Sequence, residues 1–368
     1  MVAMTARLAA VGLMAIGGQV GGQTFEIRGQ AECATCRVVL TPIALLVDKR
    51  GDIGSQLASV ARSTSGSYLV VTRGGAAATE FGADGEYLRS IGRRGSGPGE
   101  HLMLSQVMAD ATGNVHTIDA QLSRHSIFSP TGTYLRSTPL TYDLSSTNDV
   151  VLNSRGELIR NTLVPAGPGK VYSVHAVDSL GRTIRKGDVI PYDRGRPWRS
   201  QRKLFVGPGD KIIASHTLEY RIDIFSPSLA REQVLIRNVK WFPSYRGTVR
   251  PPDGVLDKPP VPKISRVWLD SAGHLWVVIF VASPKWRAMA APPKAMLPGD
   301  PQILRPRYDI VVEVIDLARK RLLVHHRFDG TIGVSFGDGY VANANEGVDG
   351  QVKVSISRLS INPTIGGR

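Results

Sequence analysis

VARSTSGSYLVVTRGGAAATEFGADGEYLRS, residues 60–90, is matched 47 residues later by VMADATGNVHTIDAQLSRHSIFSPTGTYLRS, residues 107–137, with no insertion or deletion. Val60 falls on Val107, Gly66 on Gly113, Phe81 on Phe128, Gly85 on Gly132, and Tyr87-Leu88-Arg89-Ser90 on Tyr134-Leu135-Arg136-Ser137. A period of about 40–50 residues made of short apolar runs marks a propeller blade, because one four-stranded sheet cannot bury both faces alone. The unit opens on an apolar residue, then Asp, Asn or Ser three later, then Gly three after that. It appears as Val60/Ser63/Gly66, Val107/Asp110/Gly113, Val150/Asn153/Gly156 and Val267/Asp270/Gly273. The short polar side chain can bond the backbone that follows, and Gly takes the positive φ of a tight hairpin. Degenerate copies stand at Val206–Asp210 and Phe336–Gly339.

These landmarks place blades at 57–91, 105–138, 147–187, 203–238, 264–329 and 331–361. A second landmark, Ile127-Phe128-Ser129-Pro130, recurs as Ile224-Phe225-Ser226-Pro227 and marks the third strand turning into the fourth. The last blade has three strands of its own. The orphan strand Arg37–Val47 can supply its fourth, closing the ring and protecting its sheet edges. The chain therefore reads as all-β, a six-bladed β-propeller of four-stranded antiparallel blades in one domain over 23–368.

Ahead of that domain, residues 1–22 read as a secretory signal. Arg7 supplies the charged start, Leu8–Ile16 the apolar stretch, and Gly18–Gly22 the small residues for cleavage. The apolar run is too short to span a bilayer, so the expectation is a secreted or periplasmic protein, not an integral membrane one. Cys33 and Cys36 stand just beyond, and an oxidising compartment favours a local disulfide there. Other readings of the spacing fail on their neighbours. Arg37 stands where haem attachment needs His, a strand follows where a thioredoxin-like site wants a helix, and no second ligand pair completes a zinc site. A net charge of +14, with 33 Arg to 12 Lys, favours phosphate- or carboxylate-rich partners. An arginine-rich coding bias would produce the same excess.

Residues 81–134 carry a more specific pattern. Phe81-x-x-x-Gly85-x-Tyr87-Leu88 is followed by Ile91-Gly92-x-x-Gly95-Ser96-Gly97-Pro98-Gly99-Glu100, then by Asp119-x-x-x-x-Arg124-x-x-Ile127-Phe128. This resembles the NHL-type six-bladed propeller repeat over two blades. Leu102, preceded by His101, departs from it where an aromatic is usual, and blade five carries an insertion the repeat lacks. The resemblance implies the fold and a range of roles, from protein- and sugar-binding platforms to lactonase-like or lyase-like enzymes.

A meander runs down, up, down, up, so inter-blade links and second-to-third-strand turns leave from one face. The four elaborated loops, 92–103, 187–202, 239–263 and 282–307, all belong to these classes. Long loops on a rigid scaffold are where binding concentrates. Theirs are basic and aromatic: Arg194, Arg196, Trp198 and Arg199 in one, Trp241, Tyr245 and Arg246 in the next, Trp286 and Arg287 in the last. Guanidinium forks suit carboxylate, phosphate or sulfate, and aromatic faces stack on sugars. The plainer reading packs the aromatic rings beneath their own loops and leaves the arginines solvated.

Catalysis has no local signature here: neither a Gly-x-Ser-x-Gly elbow nor a His-Glu-x-x-His stretch is present. Propeller enzymes can instead gather strand-end residues around the channel. Asp119, His216, Asn345 and Glu346 are candidates for an oxygen-rich metal cluster suited to Ca²⁺, although the repeat position of Asp119 fits a backbone-bonding role equally well. His325 and His326 point to opposite faces of a strand and cannot chelate one ion. The leading expectation is a monomeric, cofactor-free, exported scaffold that binds a protein, an anionic polysaccharide or a phosphate-bearing surface on its loop-bearing face. Nucleic acid conflicts with export. The alternative is a Ca-dependent lactonase-like hydrolase or lyase at the channel mouth.

Overall fold

A computed structural model describes residues 22–141, 148–247, 258–288 and 307–362. The signal-like stretch up to residue 21 and the middles of two long loops, 248–257 and 289–306, lie outside the described residues. Six small antiparallel sheets form the blades of a propeller. Blade one takes Leu57–Arg62, Tyr68–Thr72, Ala78–Phe81 and Tyr87–Ile91, and blade two takes Leu104–Ala109, Val115–Asp119, Arg124–Phe128 and Tyr134–Pro139. Blade three uses Asp149–Leu152, Leu158–Asn161, Lys170–Val177 and Thr183–Pro191, with an extra strand, Val164–Gly167, folded back on the third. Blade four runs through Arg202–Val206, Ile212–His216, Arg221–Phe225 and Arg231–Ile236. Blade five has Lys263–Leu269, His274–Ala282, Tyr308–Asp316 and Arg321–Phe328. In blade six, Val334–Phe336, Tyr340–Glu346 and Val352–Asn362 receive Arg37–Val47 as the outer strand, so the ring closes as the orphan strand predicts.

The hairpins form for the reason their sequence suggests. The Asp110 carboxylate accepts from the backbone N–H of Thr112 and Asn114, each at 2.9 Å. Asn153 and Asp270 repeat this in blades three and five. Gly66 and Gly113 take φ values of 88° and 86°, open only to glycine without strain.

The segment before Arg37 does something the repeat does not foretell. Gln23–Glu26 adds to the rim of blade four as a fifth, parallel strand beside Arg231–Ile236. The chain then crosses blade five, where the N–H groups of Glu32 and Cys33 donate to the carbonyls of Leu322 and Leu323. The Cys33–Cys36 disulfide lies at that crossing, and the outer strand of blade six begins at the next residue. Residues 23–47 thus form a belt over the rims of three blades.

The inner strands are tied by a second device. Each presents an edge to the channel, and at four of the six junctions a polar side chain from the preceding blade bonds the edge of the next. The Ser59 hydroxyl accepts from the Val107 N–H at 3.2 Å and reaches its carbonyl at 3.4 Å. Gln106 donates to the Val150 carbonyl at 3.1 Å, the Leu204 N–H donates to Asp149 at 2.8 Å, and Arg266 donates to the Ser335 carbonyl at 3.2 Å. Ser59, Gln106, Asp149, Lys203, Arg266 and Ser335, one from each blade, thereby surround one height of the channel.

Between neighbouring blades lie six separate apolar clusters rather than one core. The cluster between blades two and three is small, comprising Ile118, Leu140, Val150, Leu158 and Val177. Buried His116, His125, Arg160 and His175 belong to the same two blades. His116 bonds Asp110 through Nε2 at 3.1 Å and His125 through Nδ1 at 2.9 Å. Burial pushes His125 and His175 each down to about 3, with Arg160 adding to the effect. They stay neutral in the fold, whereas in the unfolded chain they protonate near 6.5. As pH falls from about 6.5 towards 3, the unfolded state takes up protons that the native state refuses. Stability should then fall by about 1.4 kcal/mol per pH unit for each imidazole. Urea titrations between pH 7 and pH 5 should show this slope, and His125→Gln with His175→Gln should flatten it; an unchanged slope refutes the assignment.

The belt gives a second expectation. A cross-link closing so short a loop stabilises by about 2 kcal/mol on chain-entropy grounds. Replacing both cysteines by Ser should lower the melting temperature by a few degrees and leave a folded ring. Global unfolding of that variant would show that the belt governs the whole ring.

Candidate functional site

Two of the concavities on the loop-bearing face gather charged side chains. The first is the upper channel, a cavity of about 510 Å³ around the six-residue ring, with Ser105, Ser123 and Asn148 also in its wall. The second lies between blades three and four, a cavity of about 360 Å³. It combines the link after blade three with the second-to-third-strand turn of blade four. Leu163, Val171, Ile190 and Pro191 form an apolar wall, and Arg196, Arg199, Arg202, Arg221, His216 and Glu219 form a polar one.

Local structure explains why these side chains meet. Asn161, at the end of its strand, donates to the carbonyls of Ser173 and Ser200 at 2.8 and 3.0 Å and accepts the Arg202 N–H at 2.9 Å. It clamps the link onto the blade. A short 3₁₀ turn, Pro197–Ser200, then sends Trp198 inward, 8% exposed, and leaves Arg199 outside.

Beneath the pocket is a compact ion network. The buried Asp188 carboxylate meets Arg202 at 3.2 Å, pairs with Arg231 and accepts from the Ser173 hydroxyl. Buried Asp223 meets Arg221 at 2.8 Å, Arg231 at 3.2 Å and His216 Nε2 at 2.9 Å. Burial works against both carboxylates. Arg202 nevertheless holds Asp188 below the usual carboxylate range, and His216 with Arg221 holds Asp223 well below it. An ionised Asp223 only accepts, so Nε2 of His216 carries the proton and Nδ1 is an acceptor, 3.7 Å from Glu219. Burial and the nearby Arg202 lower the His216 pKa, against the pull of Asp223. Arg196 is paired with Asp193. Among the described residues Arg199 has no side-chain partner, and it lines the pocket while exposed to solvent.

The loop residues singled out from sequence divide between surface and interior. Arg194, Arg199, Arg246 and Arg287 are exposed. Trp198 is packed under its own loop. Trp241 is half-buried, edge-on to Tyr220, Phe242 and His325. Tyr245 is half-buried, its N–H donating to the Leu218 carbonyl, and Trp286 carries Arg287 over its ring at 5.1 Å. The structure gathers Arg196, Arg199 and His216 into one pocket, and neither Trp241 nor Trp286 lines it.

The four metal candidates do not converge. Asp119 lies in blade two, His216 in blade four, and Asn345 with Glu346 at an exposed strand end in blade six. Asp119 accepts from the N–H groups of Leu102, Met103, Gln121 and Leu122, at 2.7 to 3.4 Å, the backbone role its repeat position allows. Among the described residues no three His, Cys, Asp or Glu side chains form a metal-holding group. His325 and His326 diverge, one to Glu313 and the other to the Val38 N–H. His101 is fully buried against Phe128, with ring centroids 5.7 Å apart, and supplies the ring that Leu102 lacks. Sequence reasoning missed Asp188 and Asp223, which carry no signature because their partners come from different strands.

No protein family's sequence profile matches the chain, and no curated protein is significantly similar to it. Solved structures are similar in shape. A "putative exported protein" of Bacteroides fragilis aligns with a TM-score of 0.58 at 11% identity, over 92% of this chain and 99% of that one. A member of the DUF4221 family from Bacteroides vulgatus aligns at 0.60 and 9% identity, over 89% and 99%. A virginiamycin B lyase of Staphylococcus aureus aligns at 0.48 and 10% identity, over 87% and 99%. At such identities the likeness is one of fold.

The buried ring of Trp198 allows a direct test of the pocket's construction. Trp198→Ala should cost about 3–5 kcal/mol by opening a cavity, whereas Arg199→Ala should change stability by less than about 0.5 kcal/mol. Equal losses in chemical denaturation would refute this division.

Proposed function

We propose that this chain is an exported binding propeller whose ligand is a small amphipathic anion held between blades three and four. The observation that carries the reading is Arg199: an unpartnered guanidinium at the mouth of a cavity with one apolar wall and one arginine-rich wall. Arg202 and Arg221 are braced from below by Asp188 and Asp223, so their orientation needs little rearrangement when a ligand arrives. Such preorganisation lowers the entropic cost of binding. A carboxylate suits the fork of Arg199, and an aryl or alkyl body suits Leu163, Val171 and Ile190. Residues 1–22, as a secretory signal, support placement outside the cytoplasm.

Benzoate is a suitable first probe. A charge-assisted contact contributes about 1.5–3 kcal/mol, so Arg199→Ala should weaken calorimetric binding by roughly tenfold or more with an unchanged melting temperature. Binding that is equal in the folded variant overturns the reading.

One observation favours a second reading. The Asp223–His216 pair leaves Nδ1 as an acceptor facing the cavity, the arrangement in which an imidazole serves as general base. In a hydrolase of this kind His216→Asn would abolish turnover of a carboxylate ester while retaining product binding. In a binding protein neither variant nor parent turns the ester over.

A further inference from the structure

Four of the six residues ringing the upper channel tie one blade to the next. Ser59, Gln106, Asp149 and Arg266 each bond the inner strand of the next blade. Lys203 occupies the corresponding place in blade four: Leu204 registers with Ala214 as Val60 registers with Val70. Among the described residues its ammonium forms no hydrogen bond or ion pair. Every other charge of the ring is engaged, since Arg266 also meets Asp149 at 3.7 Å. A lysine that ties nothing together, in a wall where the other long or charged side chains, Gln106, Asp149 and Arg266, all do, is available for a ligand.

Its surroundings are cationic. Arg266 and Lys263 of blade five both act on Lys203, and Asp149 is the single carboxylate that opposes them. Lys263 itself lies over the Tyr308 ring at 4.9 Å. Two consequences follow. The surplus positive charge attracts an anion into the channel. Burial first, then Arg266 and Lys263, also push the Lys203 pKa down against the pull of Asp149. A desolvated lysine beside other cations is a nucleophilic amine.

We propose that Lys203 captures a small anionic carbonyl compound, such as a 2-oxo acid or an aldehyde acid, as an imine within the channel. The neutral Nζ adds its lone pair to the carbonyl carbon and forms a carbinolamine. The C–O bond then breaks and the oxygen departs as water, taking both amine protons and leaving a C=N bond. No oxidant or reductant takes part. The cationic wall holds the carboxylate of the ligand, and the cavity of about 510 Å³ admits molecules of this size.

The test uses the whole chain with glyoxylate as probe and borohydride to trap the imine, followed by peptide mass mapping. A lowered pKa leaves more of the amine neutral at a given pH. Lys203 should therefore be labelled at pH 7 severalfold faster than the mean of the other lysines, with a rate that levels off at lower pH than theirs. Lys203→Arg keeps the charge and the fold, and should remove that fast label alone. Unfolding in urea should erase the preference. Uniform labelling of all lysines in the native protein, or protection of Lys203 until the chain is unfolded, overturns the proposal. Benzoate binding by Lys203→Arg should match that of the parent, so the outcome is independent of the pocket between blades three and four.

Discussion

A propeller blade leaves its innermost strand with one unpaired edge, and six such edges facing a channel must be satisfied for the ring to hold. At four of the six junctions the preceding blade supplies a polar side chain to do it: Ser59 for Val107, Gln106 for Val150, Asp149 for Leu204 and Arg266 for Ser335. These bonds run around the ring and not along the chain. They tie these four of the six blade junctions at the smallest radius. Everything farther out, from the six apolar clusters to the pocket between blades three and four, depends on that registration. A break at Lys203 is tolerable because the neighbours on both sides are tied.

At the largest radius the belt plays the complementary part. Residues 23–47 bind the rims of blades four, five and six in turn, so closure is spread over three blades. The outer strand of blade six comes from near the chain's start, and its partner Val352–Asn362 from near the end. Gly85 shows how closely the belt lies, since a Cβ there would stand 2.1 Å from the Leu45 carbonyl oxygen. Inner ring and outer belt together restrain a structure whose apolar contacts are divided into six parcels. The interface between blades two and three is the one in which neutral histidines and a buried arginine accompany a small apolar cluster.

Much of this was legible in residue order. The repeat, its Asx-Gly hairpins and the orphan strand reflect local rules: a short polar side chain bonding its own turn, glycine at positive φ, alternation of apolar residues. Those rules act over a few residues, and the structure keeps them at Asp110, Asn153 and Asp270. The candidate site was legible only in part. Arg196, Arg199 and His216 are marked by loop chemistry or by being unmatched among the blades. Trp198 carries the same marks, yet one 3₁₀ turn rotates it inward while its neighbour Arg199 stays out. Asp119 looked available for a metal, but four backbone N–H groups converge on its carboxylate.

The sequence alone determined the number of blades, the closing strand, the cysteine pair and the face on which long loops emerge, because each follows from periodicity or from chain connectivity. Tertiary structure alone decided which charges meet. Asp188 from blade three with Arg202 and Arg231 from blade four, and Asp223 with His216, are pairings across separate strands. The missing tie at Lys203 shows only by comparison with the four counterparts that make one at the same height of the channel. Spacing along a chain carries no record of such encounters, since they are set by how six independently folded sheets come to rest against one another.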